Sequence, residues 1–419
     1  MKFQIVKGTQ DILPDDIHKW RYVETTAARI LENFGYQEIR TPLFESTALF
    51  TRSIGETTDI VEKEMYSFRD RKGRDISLRP EGTAPIIRAY IEHGISPPAK
   101  LYHLGPMYRY ERPQRGRNRE FYQIGVEAIG SISPFLDAEV IDLGQYLLKE
   151  IGLREFEITL NSIGCRQCRA QYKKVLLSCI EKKRSKLCDT CQGRVAQNPF
   201  RILDCKDKTC KELVSNAPTI TNSLCDDCRQ HFSEVKRHLE RLGIQFTVDP
   251  RLFRGLDYYS KTTFEFVSKA LGAKDTILGG GRYDYLVGEL GGEETPAIGW
   301  ALGVDRLILA LEVENFRFPR LSSGLTFVAW TSETTKEKSV EITRMLRQEG
   351  ISSQMDYDER SLKSQLKLAN RIGADYAVIV GDEELADGEV LLRDMNTGAQ
   401  DAVLLSTLKE VLKKRSSPC

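Results

Sequence analysis

Tyr108–Glu127 reads YRYERPQRGRNREFYQIGVE, and the contrast between its two halves decides the fold. Between Arg109 and Arg119 it places five arginines and one proline, then turns into a half-polar strand pattern. Residues two apart on a strand share a face, so Arg109 and Glu111 point one way. Phe121, Gln123, Gly125 and Glu127 likewise share a face. The chain is extended from Leu101 to Gly130 around the arginine-rich loop, which predicts two long antiparallel strands joined by a wide turn. Such a hairpin presents a guanidinium, an aromatic ring, an amide and a carboxylate to one cavity. A solvated charged hairpin is the alternative, but Gln123 and Glu127 occupy positions where core residues normally stand.

Outward from the hairpin, other elements are readable. Pro14 and Asp15 open a first helix in which Ile17, Trp20, Ala27, Ile30, Leu31 and Phe34 recur near helical spacing, and Gly35 ends it. YQEIRTPLFE is extended, with Pro42 near its end. ITLNS (Ile158 to Ser162), TTFEFV and DTILGGGRYDYL have strand character, and a helix begins near Gly303. Strands in runs, with few helices alternating between them, favour an α+β domain over a doubly wound one. After FPRLSSG, where Pro319, Ser322, Ser323 and Gly324 mark a linker, strand and helix alternate in a separate α/β domain, with a hairpin turn at Asn396 to Gly398. The expected boundaries are 1–160 and 246–318 for the two parts of the main domain, 161–245 for a mostly helical insert, and 325–419 for the last domain.

The totals narrow the function. The 419 residues are 41% hydrophobic and 29% charged, with 61 − 60 = +1 net charge. A polyanion partner must therefore meet a local basic patch rather than a global field. MKFQIVKGTQDILPDD lacks the apolar core of a signal peptide, and no apolar run approaches the ~20 residues that span a bilayer, so the chain reads as cytosolic, with no membrane or DNA partner. In that compartment thiols stay reduced. Nine of the ten cysteines lie between Cys165 and Cys228, in Cys165-x-x-Cys168, Cys188-x-x-Cys191 and Cys225-x-x-Cys228, with a looser pair at Cys205 and Cys210. C-x-x-C spacing suits structural Zn2+, with Cys188, Cys191, Cys225 and Cys228 as candidate ligands; an insert rich in free thiols is the other reading. No P-loop occurs, and Gly279-Gly280-Gly281 lacks the dinucleotide order and reads equally as a plain turn. Any phosphate must be gripped by arginine, a permanently charged planar fork.

These stretches carry a resemblance. The hairpin is similar to motif 2 of class II aminoacyl-tRNA synthetases, GYQEIRTPLFE resembles motif 1, and GWALGVDRL (Gly299 to Leu307) resembles motif 3. LFRGLDYYSKTTFEF and LGGGRYDYL resemble the two signatures peculiar to histidyl-tRNA synthetases, and LRPEGT and VEKEMYSF also match that family. The likeness spans nearly the whole chain, in order.

It implies a class II-like antiparallel sheet core flanked by helices, with a C-terminal anticodon-binding-like domain. It also implies ATP-dependent activation of L-histidine to histidyl-adenylate and transfer to the 3′ end of tRNA(His), with Mg2+ neutralising pyrophosphate, in a homodimer formed through motif 1. On this resemblance Arg109 and Arg254 are catalytic. Arg109 contacts the α-phosphate, Arg306 the distal phosphates, and Arg254 stands near the reacting carboxylate. Glu111 and Arg117 orient ATP, with Phe121 on adenine. Glu81, Thr83 and Gln123 hold the α-ammonium, Glu127 and Tyr259 read the imidazole, and Gly82 and Tyr258 line the pocket. Gln114 and Arg115 meet the tRNA acceptor end, while Arg360, Lys363, Lys367 and Arg371 face RNA from the last domain. For several of these a structural role is equally open: Glu81 as a helix cap, Arg306 in a surface ion pair, and Arg254, Tyr258 and Tyr259 as a strand-end cluster. A non-charging paralogue serving as a regulatory subunit of histidine biosynthesis is the rival, but it should lack FRGLDYY and the last domain. A synthetase for another amino acid is opposed by the two signatures.

Overall fold

The hairpin forms as the alternation predicts. In the computed structural model, Ala99–Tyr108 and Glu120–Ile129 pair antiparallel, with Ala99 opposite Ile129 and Tyr108 opposite Glu120. The structure describes residues 3–416 except 182, 204, 206, 216, 269–274 and 320–323, so Ser322 and Ser323 of the expected linker lie outside the described residues. The chain divides into two units, Met1–Phe318 and Pro319–Cys419.

The hairpin belongs to an eight-stranded sheet. Its order is Gln37–Glu38, Ala99–Tyr108, Glu120–Ile129, Ala297–Gly303, Asp275–Arg282, Ser260–Ser268, Phe156–Ser162 and Thr247–Val248. Only the two short outermost strands pair parallel to their neighbours. Alternation divides each strand between two environments. Ile124, Val126 and Ala128 enter the core with Phe264, Leu278 and Trp300. Helices Ile17–Asn33, Pro134–Ile151, Asp226–Arg241 and Val304–Val313 cover that face with residues such as Ile30, Leu143, Val235 and Leu307. Each such side chain, fully buried, contributes about 1.5–3 kcal/mol. The other face keeps Gln123, Gly125 and Glu127, and the cleft lies there.

Gly279–Gly281 runs mid-strand, paired on both sides, as the strand character of DTILGGGRYDYL predicts and not as the plain turn that was its alternative. A side chain at Gly280 would strike the Gly299 carbonyl and Trp300, and one at Gly279 would strike the Arg254 guanidinium. The glycines thin the sheet where arginine must lie flat against it. The motif 1 segment splits, because Pro42 lies between Gln37–Glu38 of the large sheet and Phe44–Ser46, which joins Asp75–Leu78 and Ser67–Arg69 in a three-stranded sheet.

Between Ser162 and Thr247 the chain builds helices Arg166–Glu181, Asp189–Gln197, Lys208–Ser215 and Asp226–Arg241. The last is tied to the main sheet by a buried ion-pair network. His231 Nε2 and Asp137 lie 2.8 Å apart, and Arg282, fully buried, donates to Asp137 at 2.6 and 2.9 Å. Burial alone would raise the Asp137 pKa, but Arg282 and His231 hold it below its usual value.

The second unit carries a five-stranded sheet in the order Ser353–Met355, Thr326–Trp330, Tyr376–Val380, Glu389–Asp394 and Gln400–Leu404. Asp394 accepts from the backbone N–H groups of Asn396 and Thr397 at 2.8 and 2.9 Å, which forms the predicted hairpin turn. Helix Leu362–Arg371 turns Ala369 and Gln365 inward, with Leu362 and Leu366 partly buried. Gln365 is a polar core residue that the apolar spacing could not announce. Its amide donates to the Trp330 and Arg360 carbonyls at 3.0 and 2.8 Å and accepts from Trp330 N–H at 3.1 Å.

Candidate active site

A cleft of about 250 Å³ opens on the sheet's uncovered face, and four arginines line it: Arg109, Arg117, Arg254 and Arg306. Each guanidinium is steered by the chain. Arg109 Nε donates to the Pro80 carbonyl at 2.8 Å, and its guanidinium lies 5.3 Å from the Phe121 ring centre. Arg306 sits in the first turn of Val304–Val313, where the helix dipole disfavours a cation. Its side chain leaves that helix and donates to the Thr276 carbonyl at 2.5 Å. Arg254 pairs with Glu265 at 2.6 Å, while its Nε is buried with no hydrogen-bond partner among the described residues. Glu111 lies 3.9 Å from Arg109 and 3.7 Å from Arg117, spanning the strand and the loop.

The acidic floor is equally constrained. Glu81 accepts the backbone N–H groups of Thr83 and Ala84 at 2.7 and 2.9 Å. It therefore caps helix Thr83–Glu92, the structural role expected of it, and it also lines the cleft. Burial raises its pKa despite those donors. Glu127 lies one layer below the cleft surface, 1% exposed, and accepts from the Thr83 hydroxyl at 2.7 Å and from the Tyr283 hydroxyl. Burial pushes its pKa up to about 8 against those two donors. Gln123 lines the cleft with its Oε1 buried and without a partner among the described residues. Tyr258 and Tyr259 wall the same space, with ring centres 4.7 Å apart.

Gly82 belongs to the cleft for a steric reason. His103, 3% exposed, lies so close that a side chain at either Gly82 or Gly125 would overlap its ring. Burial drives the His103 pKa down to about 3, so the ring is neutral. Gln114 and Arg115, in contrast, are exposed at the loop tip, where the backbones of Gln114 and Arg117 close a tight turn.

The cleft lining also holds residues that were given no role from the sequence, among them Glu265, Thr276, Tyr283 and Asp305. Glu265 had a signal, as the lone acid between Phe264 and Phe266 and so on the opposite face of TTFEFV. Tyr283 lies within the quoted LGGGRYDYL stretch, but its partner was hidden, because it meets Glu127 across the sheet, where Gly299 stands opposite Glu127 and leaves room for that carboxylate. Asp305 accepts from Tyr122 N–H at 2.8 Å and from Gln10 at 2.9 Å, anchoring the motif 3 helix to the hairpin.

The zinc candidates are regrouped. Cys188 and Cys191 do not meet Cys225 and Cys228; the first pair gathers with Cys205 and Cys210, the second with Cys165 and Cys168. Sequence spacing identifies a pair but cannot say which pair it meets.

A cleft with fixed cations along one wall and buried acids beneath can hold a polyphosphate beside a small cationic substrate. Comparison with known proteins agrees. The histidyl-tRNA synthetase family matches residues 8–307, and an anticodon binding domain matches residues 326–415. The chain is 50% identical over 417 residues to a histidine–tRNA ligase of Halothermothrix orenii, covering 99% of this chain and 100% of that one. It is 47% identical over 410 residues to one from Caldanaerobacter subterraneus, covering 97% and 98%. Apo histidyl-tRNA synthetase of S. aureus superposes with a TM-score of 0.83 at 38% identity, covering 98% of this chain and 100% of that one.

Proposed function

This chain belongs to the histidyl-tRNA synthetase family and ligates L-histidine to tRNA with ATP, and we propose that the cleft divides that work among its residues as follows. In the first half-reaction the histidine carboxylate attacks the α-phosphate, and negative charge grows on phosphate oxygens. Positioning and preorganised cations are what such a step requires. Arg109 meets the α-phosphate, Arg306 the distal phosphates, and Phe121 stacks on adenine, with Glu111 and Arg117 fixing the nucleotide. Arg254 meets the carboxylate of histidine, a role supported by its unpartnered Nε.

Glu81, Thr83 and Gln123 take the α-ammonium, which would give the buried Gln123 Oε1 the donor it lacks. Glu127 and Tyr259 read the imidazole, with Tyr258 and Gly82 as walls. A ring N–H would add a donor to those that Thr83 and Tyr283 already give Glu127, so analogues that lack it forfeit that contact. The family's Mg2+ is a hard cation that takes oxygen donors. Glu111 suits it, since its ion pairs at 3.7 and 3.9 Å are loose and leave carboxylate lone pairs free. When bound, the ion would neutralise pyrophosphate.

In the second half-reaction Gln114 and Arg115 approach the acceptor end, and the C-terminal domain takes the anticodon through Lys363, Lys367 and Arg371, which are exposed. Arg360 contributes less, being paired with Asp358 at 2.6 Å and with Asp356. We place dimerisation at motif 1, supported by the exposed Leu43 and Phe44, and the site of action in the cytoplasm. Among the described residues no helix is long and apolar enough to cross a membrane. The regulatory-subunit reading is disfavoured by FRGLDYY and by the anticodon binding domain.

The observation that carries this assignment is the convergence of four guanidiniums and an acidic floor on one cleft. ATP–pyrophosphate exchange measured across the twenty amino acids tests it. Exchange should depend on histidine, and exchange driven by another amino acid instead would refute it.

A further inference from the structure

The insert's cysteines, which the ligation reaction does not use, gather into two groups. In Cys165, Cys168, Cys225 and Cys228 all four Sγ atoms lie within 4.8 Å of one another, and so do those of Cys188, Cys191, Cys205 and Cys210. Cys165 and Cys168 are 3.6 Å apart at sulfur, and Cys188 and Cys205 are 3.9 Å apart. A tetrahedron with metal–sulfur bonds of about 2.3 Å has edges of about 3.8 Å. Among the described residues none of these thiols is in a disulfide, and Cys179, exposed on helix Arg166–Glu181, stands outside both groups. Each group also has a backbone N–H aimed at sulfur: Cys225 N to Cys168 Sγ at 3.1 Å, and Cys188 N to Cys210 Sγ at 3.3 Å. Such donors orient thiolate ligands.

We propose that each quartet is a closed tetrathiolate site for one Zn2+, two per chain, and that the two ions brace the segment carrying Arg254, Tyr258 and Tyr259. Four soft thiolates with no oxygen or nitrogen donor select zinc over the hard cations. An iron–sulfur cluster would need the sulfurs spread around several iron atoms, wider than this set allows.

The insert has reason to need metal. Two of its helices, Lys208–Ser215 and Asp189–Gln197, have only 8 and 9 residues, too short to be stable alone. The first site pins the starts of the insert's two long helices, because Cys165 and Cys168 flank the opening of Arg166–Glu181 and Cys225 and Cys228 that of Asp226–Arg241. The second pins the short pieces between them.

Both sites lead to the cleft. Arg169, the neighbour of Cys168, donates to the Asp257 and Tyr259 carbonyls at 3.0 and 3.1 Å. Phe200, in the chain between Cys191 and Cys205, stacks on Phe253 with ring centres 5.6 Å apart, and Phe253 immediately precedes Arg254. Asn198 donates to Asp257 at 3.0 Å. The metals thus hold the far side of the loop whose near side faces histidine.

The test uses the full-length protein, dialysed against metal-free buffer and analysed by elemental mass spectrometry. Two zinc ions per chain are expected; Cys168→Ser and Cys191→Ser should each leave one, and Cys179→Ser should leave two. If a serine variant fails to fold, titrating the wild type with a mercurial in the presence of a metallochromic dye should still release two equivalents. Protein grown with cobalt should show thiolate charge-transfer and tetrahedral d–d bands. Fewer than two zinc ions, bound iron, or eight thiols reacting freely in the native protein would overturn the sites. The bracing rests on the synthetase assignment, whereas the metal count does not, so the two can fail separately. Loss of one zinc should cut histidine-dependent exchange by about tenfold, with the KM for ATP unchanged. Unchanged exchange after zinc loss would overturn the bracing.

Discussion

The cleft of the first unit and helix Leu362–Arg371 of the second are both rich in fixed positive charge, yet they treat it in opposite ways. In the cleft, Arg109, Arg254 and Arg306 are held by a carbonyl, a carboxylate and another carbonyl. On the helix, Lys363, Lys367 and Arg371 stand exposed, while Gln365 and Ala369 turn beneath them. A guanidinium already oriented in a low-dielectric site costs no reorganisation when charge develops on a phosphate. Hydrated lysines are screened within about 8–10 Å by physiological salt, and they suit an RNA backbone whose position varies. The difference teaches that orientation, more than charge count, separates the two groups of cations.

Three experiments can break or sharpen that contrast. The largest effect is expected from Arg254→Ala, which should lower histidine-dependent adenylate formation by about 10³-fold in a folded protein, as loss of one preorganised donor does. Arg254→Lys should recover little, since an ammonium cannot reproduce the fork. Single-turnover kinetics would decide, and near-normal turnover by the alanine variant would remove Arg254 from the machinery.

A middle effect is expected at Glu127. Glu127→Gln should lower kcat/KM for histidine by about 10²-fold, the scale of one lost charged hydrogen bond in a buried site. The same variant tests the pKa. Burial raises the folded-state value from 4.5 to about 8, so the folded chain keeps a proton that the unfolded chain releases. That contribution to stability is fully present below about pH 4.5 and is lost as pH rises through about 8. The ligand-free wild type should therefore lose more Tm between about pH 6 and about pH 9 than Glu127→Gln does. Parallel curves would show that Glu127 is not the group responsible.

The smallest effect is expected on the helix. Lys363→Ala with Lys367→Ala should weaken tRNA binding several-fold and reduce its salt slope by about 2, leaving ATP–pyrophosphate exchange intact. Exchange falling in parallel would erase the distinction between the two kinds of charge.

Much of the site was legible because strand alternation and the family likeness both act on local sequence. Phe121, Gln123 and Glu127 could be placed on one face from Tyr108–Glu127 alone, and the structure keeps them on the cleft side of the sheet. Other parts were out of reach. Gly279–Gly281 could be read as strand or turn alike, because nothing local shows that Arg254 lies against Gly279. The contact of Tyr283, inside LGGGRYDYL, was hidden, because its partner arrives from a strand 156 residues earlier in the chain. The cysteines were recognisable as pairs, but their pairing was not.

By itself, then, the amino-acid order determined the hairpin, the helix ends, the break before the last domain and the kinds of side chain the site would need. These depend on periodicity and on contacts within a few residues. Only the tertiary structure decided which thiols meet, why three glycines run through a central strand, and how deep Glu127 lies. Those properties come from atoms distant in the chain competing for the same space, and no local pattern records that competition.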